Sequence, residues 1–188
     1  MGHCKCCHGM HDPAARQAVS RGAGTGAGVR SIRIREDRSG LDATAVLLDD
    51  RAPANAGFLW DLCATPRGIP AIHAMWTGPE ISAPVPDAWL EAATREAGLP
   101  LENSTIMPQP GEIVLTFLPP RVWGGGPAPV FDIGLYYGPQ ARLLFPIGWQ
   151  PGSVAARIAA ADVPELAAAC GRIRQSGACI LTFSRADG

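Results

Sequence analysis

The chain has 188 residues and a formal net charge of −1 at pH 7, from 16 basic and 17 acidic side chains. Hydrophobic residues make up 47% and charged residues 18% of it, which is typical of one globular domain and excludes a disordered chain. Because it shows no basic stripe, no apolar run of membrane-spanning length and no signal-peptide core, we expect a cytoplasmic protein without nucleic-acid or membrane partners.

The first 29 residues differ in composition from the rest. They hold a cluster of soft metal ligands and then a Gly/Ala-rich run without a periodic apolar face. The cluster consists of His3, Cys4, Cys6, Cys7, His8 and His11. Structural zinc sites usually take ligands from separated turns, so we expect no designed metal site here, and we expect no cofactor. We predict a mobile leader over 1–29 and a folded domain over 30–188.

The domain begins with two predicted strands and a helix. Polar and apolar residues alternate over 31–35, and a second strand follows at 43–48. Pro53 suits the first position of a helix, because its missing N–H would be unpaired there in any case. One face of that helix is apolar: Phe58, Leu59, Leu62 and Cys63. Thr65-Pro66 ends the helix, and a third strand is predicted over 68–76.

The remaining elements are short and separated by turns. A second helix is predicted near 86–97, and a third begins at Asp162, which pairs with Glu165 in a capping box, and ends at Gly177. Further strands are predicted at 112–117, 130–137, 142–145, 153–159 and 178–184. About eight short strands with two or three helices fit a mainly β fold, a closed β-barrel capped by helices, because closure removes exposed strand edges.

Three cysteines of the domain stand alone among apolar neighbours: Cys63, Cys170 and Cys179. We predict that they are buried free thiols in a reducing compartment, because a domain of this size does not need a disulfide framework.

Five segments occur in an order that matches a known family. They are DDRAPANAGFLWDL at 49–62, HAMWTGPEI at 73–81, LENSTIMPQPGE at 101–112, FDIGLYYG at 131–138 and LAAACGRIRQSGACILTFSR at 166–185. Together they resemble a family of uncharacterised bacterial proteins with a cyclophilin-like barrel. The resemblance implies that fold over 30–185 but no activity.

True cyclophilins carry Phe-His-Arg after the first helix. Here 72–76 reads IHAMW without an arginine to stabilise the twisting amide, so prolyl isomerase activity is not expected.

Six residues are candidates for a ligand site. His73, Trp76 and Glu80 lie on or just after one predicted strand, where regular pleating points His73 and Trp76 to opposite faces. Glu102 and Asn103 follow in a polar loop, where they either contact a small polar ligand or bond their own loop. The sixth candidate, the tryptophan at 123, precedes three glycines in a long loop that either closes over a pocket or lies free on the surface.

These candidates predict a small-molecule binding protein. In this hypothesis a polar metabolite occupies a barrel-mouth pocket lined by Trp76 and Trp123, with polar contacts from the other four candidates. Two alternatives remain open. One is an enzyme of hydrolase or isomerase type that uses His73 as its base, with Glu102 or Glu80 as acid or orienting group. The other is a structural subunit whose barrel surface forms a homo-oligomer.

Overall fold

A computed structural model describes residues 29–186, so residues 1–28, with the predicted Cys/His cluster and most of the predicted leader, lie outside the described residues. The described elements are β1 (Ser31–Glu36), β2 (Leu41–Leu47), α1 (Pro53–Leu62), β3 (Arg67–His73), β4 (Glu80–Pro84), α2 (Ala92–Ala97), β5 (Ser104–Thr105), β6 (Glu112–Leu118), β7 (Val130–Tyr136), β8 (Leu144–Phe145), β9 (Gly148–Trp149), β10 (Gly152–Ile158), α3 (Val163–Ser176) and β11 (Ala178–Arg185). Over the described part of the chain, the helices are too short or too polar for any of them to traverse a lipid bilayer.

Eight antiparallel strands close into a barrel in the order β2-β1-β11-β3-β4-β7-β6-β10. Closure occurs at β2, where Val46 lies opposite Ser31 of β1 on one side and opposite Arg157 of β10 on the other. Each barrel strand therefore has a partner on both sides, which satisfies the backbone groups that an open edge would expose. The predicted closed, mainly β barrel is confirmed, and its cyclophilin-like character stays a prediction.

Aliphatic side chains fill the barrel interior, and a helix covers each end. Strand alternation turns Ile32 and Ile34 of β1 inward, where both are fully buried. At one end Arg172 of α3 donates from Nε to the carbonyl oxygen of Ser39, over 2.7 Å, in the β1–β2 turn. At the other end Phe58 of α1 stacks on a phenylalanine of β7 with ring centroids 5.9 Å apart. Each of these two helices thus contacts one end of the barrel.

Several local predictions differ from the structure. Strand β4 has no counterpart among the predicted strands, and of the strand expected over 142–145 only the two residues of β8 form a strand, in a two-stranded sheet with β9 outside the barrel. The helix expected over 86–97 is interrupted at Leu90, which is buried in an extended conformation, so that a 3₁₀ turn precedes the short α2. The strand expected over 68–76 ends at His73, and residues 74–79 form the loop that leads to β4. Asp162 makes no capping hydrogen bond, because the 3₁₀ turn over 160–162 runs directly into α3 and leaves Asp162 in helical rather than extended geometry.

Several other local predictions are confirmed. Pro53 is the first residue of α1, and α3 ends before Gly177, whose φ of 79° lies in the left-handed region that favours glycine. Cys63 and Cys170 are buried free thiols, and burial raises the pKa of each to about 12. Such thiols stay protonated and unreactive near neutral pH. Cys179 is also free but half-buried.

Candidate functional site

A pocket of about 150 Å³ lies on the outer face of the barrel, against β4, β6 and β7. Its floor follows from strand alternation. Ile81 of β4 and Ile133 of β7 point into the core, so their neighbours in the strands point outward. These outward neighbours include Glu80 and Ser82 of β4 and Asp132 of β7. This candidate site is therefore on the outside of the barrel and not at the barrel mouth, where the sequence predicted a pocket.

Three aromatic rings from three separate segments form the walls of this pocket. The Trp123 ring lies 5.6 Å from the Trp76 ring and 6.0 Å from the Phe145 ring, centroid to centroid, in edge-to-face arrangements. Such arrangements are the favoured geometry of aromatic pairs. The remaining wall is apolar and includes Ile72, Ala74, Met75, Leu118 and Val130. The loop around Trp123 thus contacts the pocket, as one of the two interpretations of the sequence expected.

Two carboxylates form the polar part of the floor. Glu80 is 2% exposed and accepts hydrogen bonds from the hydroxyls of Thr77 and Tyr136. Asp132 accepts a 2.8 Å hydrogen bond from Ser82 Oγ. Burial, together with the charge of Asp132, raises the pKa of Glu80 to about 8, and burial raises the pKa of Asp132 to about 6.

The partners of both carboxylates are neutral hydroxyl groups. The pocket lining contains no Lys, Arg or His among the described residues. Within residues 29–186 no group of three or more His, Cys, Asp or Glu side chains could hold a metal ion. The floor of the pocket can therefore accept hydrogen bonds, and it attracts positive charge once either acid is ionised.

His73 lies apart from this pocket. Its position on β3 points it to the inner face at the α3 end, where its Nε2 is 2.7 Å from the hydroxyl oxygen of Tyr137. Burial lowers the pKa of His73, so the ring is neutral at physiological pH. The two rings meet edge to face, 5.9 Å apart. The prediction that His73 shares a site with Glu80 is not supported by this geometry.

Glu102 and Asn103 hold the 101–111 loop in place. The carboxylate of Glu102 accepts hydrogen bonds from the backbone N–H groups of Ala54 and Asn55, each at 3.1 Å, and from Asn55 Nδ2 at 2.7 Å. It thereby satisfies free N–H groups in the first turn of α1. Asn103 adopts a φ of 41° and donates from Nδ2 to the carbonyl oxygen of Val154 at 3.0 Å. Both side chains thus have structural partners outside the pocket.

The structure brings together Trp76, Glu80 and Trp123 and adds a residue that the sequence analysis missed. Asp132 occupies an outward position in an otherwise apolar strand, next to the buried Phe131. A lone acid at such a position is the signal that could have identified it. The other residues missed were Phe145, Thr77, Ser82 and Tyr136. The roles of Ser82 and Tyr136 depend on contacts between β4 and β7, whereas Thr77 bonds Glu80 from the preceding loop.

A second concavity lies between α1 and the 87–100 segment. It has a volume of about 650 Å³, and the guanidinium of Arg67 lies 5.1 Å from the ring centre of Trp89 at its side. This groove is wide and open to solvent. Its acidic side chains, Asp61 and Glu91, are exposed. A wide groove with exposed charges offers less desolvation to a small ligand than the outer pocket does.

Comparison with known proteins gives one family and several similar solved structures, among them those of McbB and the hypothetical protein AF2241. The family model described as "Protein of unknown function (DUF3830)" matches residues 34–185. The structure of McbB in complex with tryptophan matches with a TM-score of 0.58 and 18% identity, over 84% of this chain but 45% of the McbB chain. The hypothetical protein AF2241 from Archaeoglobus fulgidus matches with a TM-score of 0.47 and 17% identity, over 84% and 95% of the two chains. None of the curated proteins matches the sequence. At these identities the structural likeness to McbB concerns the fold alone.

Proposed function

The chain belongs to the DUF3830 family of proteins of unknown function, and we propose that it binds a small organic molecule with a flat apolar body. The observation that carries the proposal is the outer pocket itself. Aromatic rings wall it, and the buried carboxylate of Glu80 and the half-buried carboxylate of Asp132 lie in its floor. Ligand sites are typically concave and largely apolar, with a few polar groups that orient the ligand. The small-molecule ligand expected from the sequence is retained, but at a different place and with an apolar body.

The volume of the pocket limits the size of that body. A cavity of about 150 Å³ is of the size that accepts a benzene ring. Burying about 150 Å² of apolar ligand surface at ~25 cal/mol/Å² contributes about 4 kcal/mol, so apolar burial alone gives a Kd no tighter than about 1 mM once the cost of association is included. A neutral single-ring compound is therefore expected to bind weakly, and tighter binding requires the polar floor.

A structural neighbour is compatible with this class of ligand. McbB, which has a similar fold, is described in complex with tryptophan, whose side chain is a flat aromatic ring system. Because the two chains share 18% identity, this example is compatible with the proposed ligand class but does not indicate the position of its site.

The contacts do not favour the two alternative functions. An acid–base pair built on His73 would need Glu80 or Glu102 within hydrogen-bond reach. The ring nitrogen of His73 instead contacts Tyr137, and Glu102 binds the first turn of α1. The homo-oligomer alternative gains no specific support from the described residues.

Titration of the full chain with benzyl alcohol, followed by NMR, tests the proposal. We expect binding near millimolar concentration, weakened at least fivefold by Trp76→Ala and by Trp123→Ala, because each substitution removes a wall of the pocket. Trp149→Ala is the matched control, since this tryptophan is 50% exposed and does not line the pocket. The proposal is wrong if benzyl alcohol does not bind, or if the two pocket variants bind it as tightly as the control.

A further inference from the structure

We infer that the ligand of this pocket carries a protonated amine, which lies against the carboxylates of Glu80 and Asp132. The inference rests on the proposed function and adds the charge of the ligand to it. It is based on the composition of the described lining, which has two acidic side chains in the floor and no basic side chain.

No basic side chain of the described lining balances the charge that the floor carries once its acids ionise. Glu80 is buried, and Asp132 lies on the neighbouring strand β7. The other polar groups that the neighbouring elements bring to the two carboxylates are all uncharged hydroxyls. Those groups are Thr77 from the 74–79 loop, Ser82 from β4, Thr116 from β6 and Tyr136 from β7. Buried carboxylates normally have a cationic partner, because hydroxyl donors alone do not repay the loss of hydration.

An ammonium group matches both parts of the pocket. It has three N–H donors and no acceptor, so it can bond carboxylate oxygens on two neighbouring strands at once. The aromatic walls also favour a cation, because the negative face of an indole ring attracts positive charge. A neutral alcohol of the same shape could donate only one hydrogen bond to the floor. The floor therefore discriminates between an amine and its neutral analogue.

The inference also predicts how the affinity for an amine depends on pH. Burial holds the proton on Glu80 at neutral pH, so an entering ammonium displaces that proton to solvent and pairs with the resulting carboxylate. Amine affinity should then rise between pH 6 and pH 8, by up to about tenfold per pH unit for one released proton. Affinity for a neutral probe should not rise over this range.

Calorimetric titration of the full chain at pH 8 with benzylamine and benzyl alcohol tests the inference. We expect benzylamine to bind at least tenfold more tightly. This difference should disappear in Glu80→Gln and in Asp132→Asn. Glu96→Gln makes the same chemical change at an exposed site outside the pocket and should keep the difference. The comparison of the two probes on the unsubstituted chain decides the question even if one variant does not fold.

The remaining outcomes of this titration distinguish failure of the inference from failure of the proposed function. Equal affinities for the two probes would overturn the inference and leave the proposed function intact, whereas binding of neither probe would overturn both. Tighter amine binding that survives both pocket substitutions would place the amine elsewhere and overturn the inference. Submillimolar binding of Mg²⁺ or Ca²⁺ that is lost in both variants would assign the carboxylates to a metal ion and overturn it too.

Discussion

The carboxylate of Glu80 lies over Gly134 of the neighbouring strand β7. A Cβ atom added to Gly134 would stand 2.5 Å from Glu80 Oε1 and 2.7 Å from the ring of Tyr136. Real Cβ atoms do not approach other atoms this closely, so the missing side chain provides the space that the carboxylate occupies. The absence of a side chain at position 134 thereby allows the carboxylate of Glu80 to lie in the floor of the pocket.

Gly134→Ala should therefore disturb both folding and binding. We expect a loss of about 1–3 kcal/mol in the free energy of unfolding, measured by chemical denaturation, because the new methyl group overpacks a buried site. Benzylamine affinity should fall in parallel. Gly171→Ala is the control, since it lies inside α3 with no atom within 4 Å of the added Cβ. The control should gain about 0.5–1 kcal/mol from helix propensity. Equal stability of the two variants would contradict the close approach.

The buried acid at position 80 predicts a pH dependence of stability. Its pKa is raised to about 8 in the folded state, from an ordinary value of 4.5. The folded chain thus binds more protons than the unfolded chain between these values, and stability falls as pH rises through this window. Glu80→Gln cannot ionise, so its stability should fall less between pH 5 and pH 8. Thermal unfolding across this range measures the effect, and identical pH profiles for the two proteins would refute it.

Glu102 should matter for stability and not for ligand binding. Desolvation, the largest influence, raises the pKa of this carboxyl, but hydrogen bonds from Asn55 and Ala54 outweigh it and leave the pKa below its ordinary value. Glu102→Ala should cost about 1–2 kcal/mol, as for loss of a helix cap, with benzyl alcohol affinity unchanged. This contribution should shrink as acid protonates the carboxyl. Glu91→Ala is the comparison, because Glu91 precedes α2 without a capping hydrogen bond. Weaker benzyl alcohol binding in Glu102→Ala would show that Glu102 belongs to the ligand site.

The substitution His73→Ala distinguishes the ligand site predicted from the sequence, which includes His73, from the outer pocket. Because His73 contacts Tyr137 and not the pocket, benzyl alcohol affinity should stay unchanged, while stability falls by about 1 kcal/mol through loss of the hydrogen bond. Tyr137→Phe removes the same bond and should have a similar cost. Weaker probe binding in His73→Ala, with an unchanged melting temperature, would show that His73 belongs to the ligand site after all.

Local signals in the sequence were sufficient for most of the barrel strands and for two of the helices. The alternation of polar and apolar residues over 31–35 and the proline at 53 are local signals. They predicted a strand and a helix start where β1 and α1 are observed. The helix expected over 86–97 was wrong because its caps are local signals, whereas the extended conformation of Leu90 accompanies its burial in the core. Tertiary burial overrode local propensity there.

The candidate site shows the same division. The sequence by itself determined Trp76, Glu80 and Trp123 as candidates, and its Trp-Gly-Gly-Gly segment predicted the loop that carries Trp123. It indicated neither Asp132 nor the strand β4 that carries Glu80. Only the tertiary structure decided that these segments meet on one outer face, and that Glu102 and His73 face other partners. The physical reason is that pleating is a property of a single strand, whereas contacts across strands depend on which strands pair and in which register.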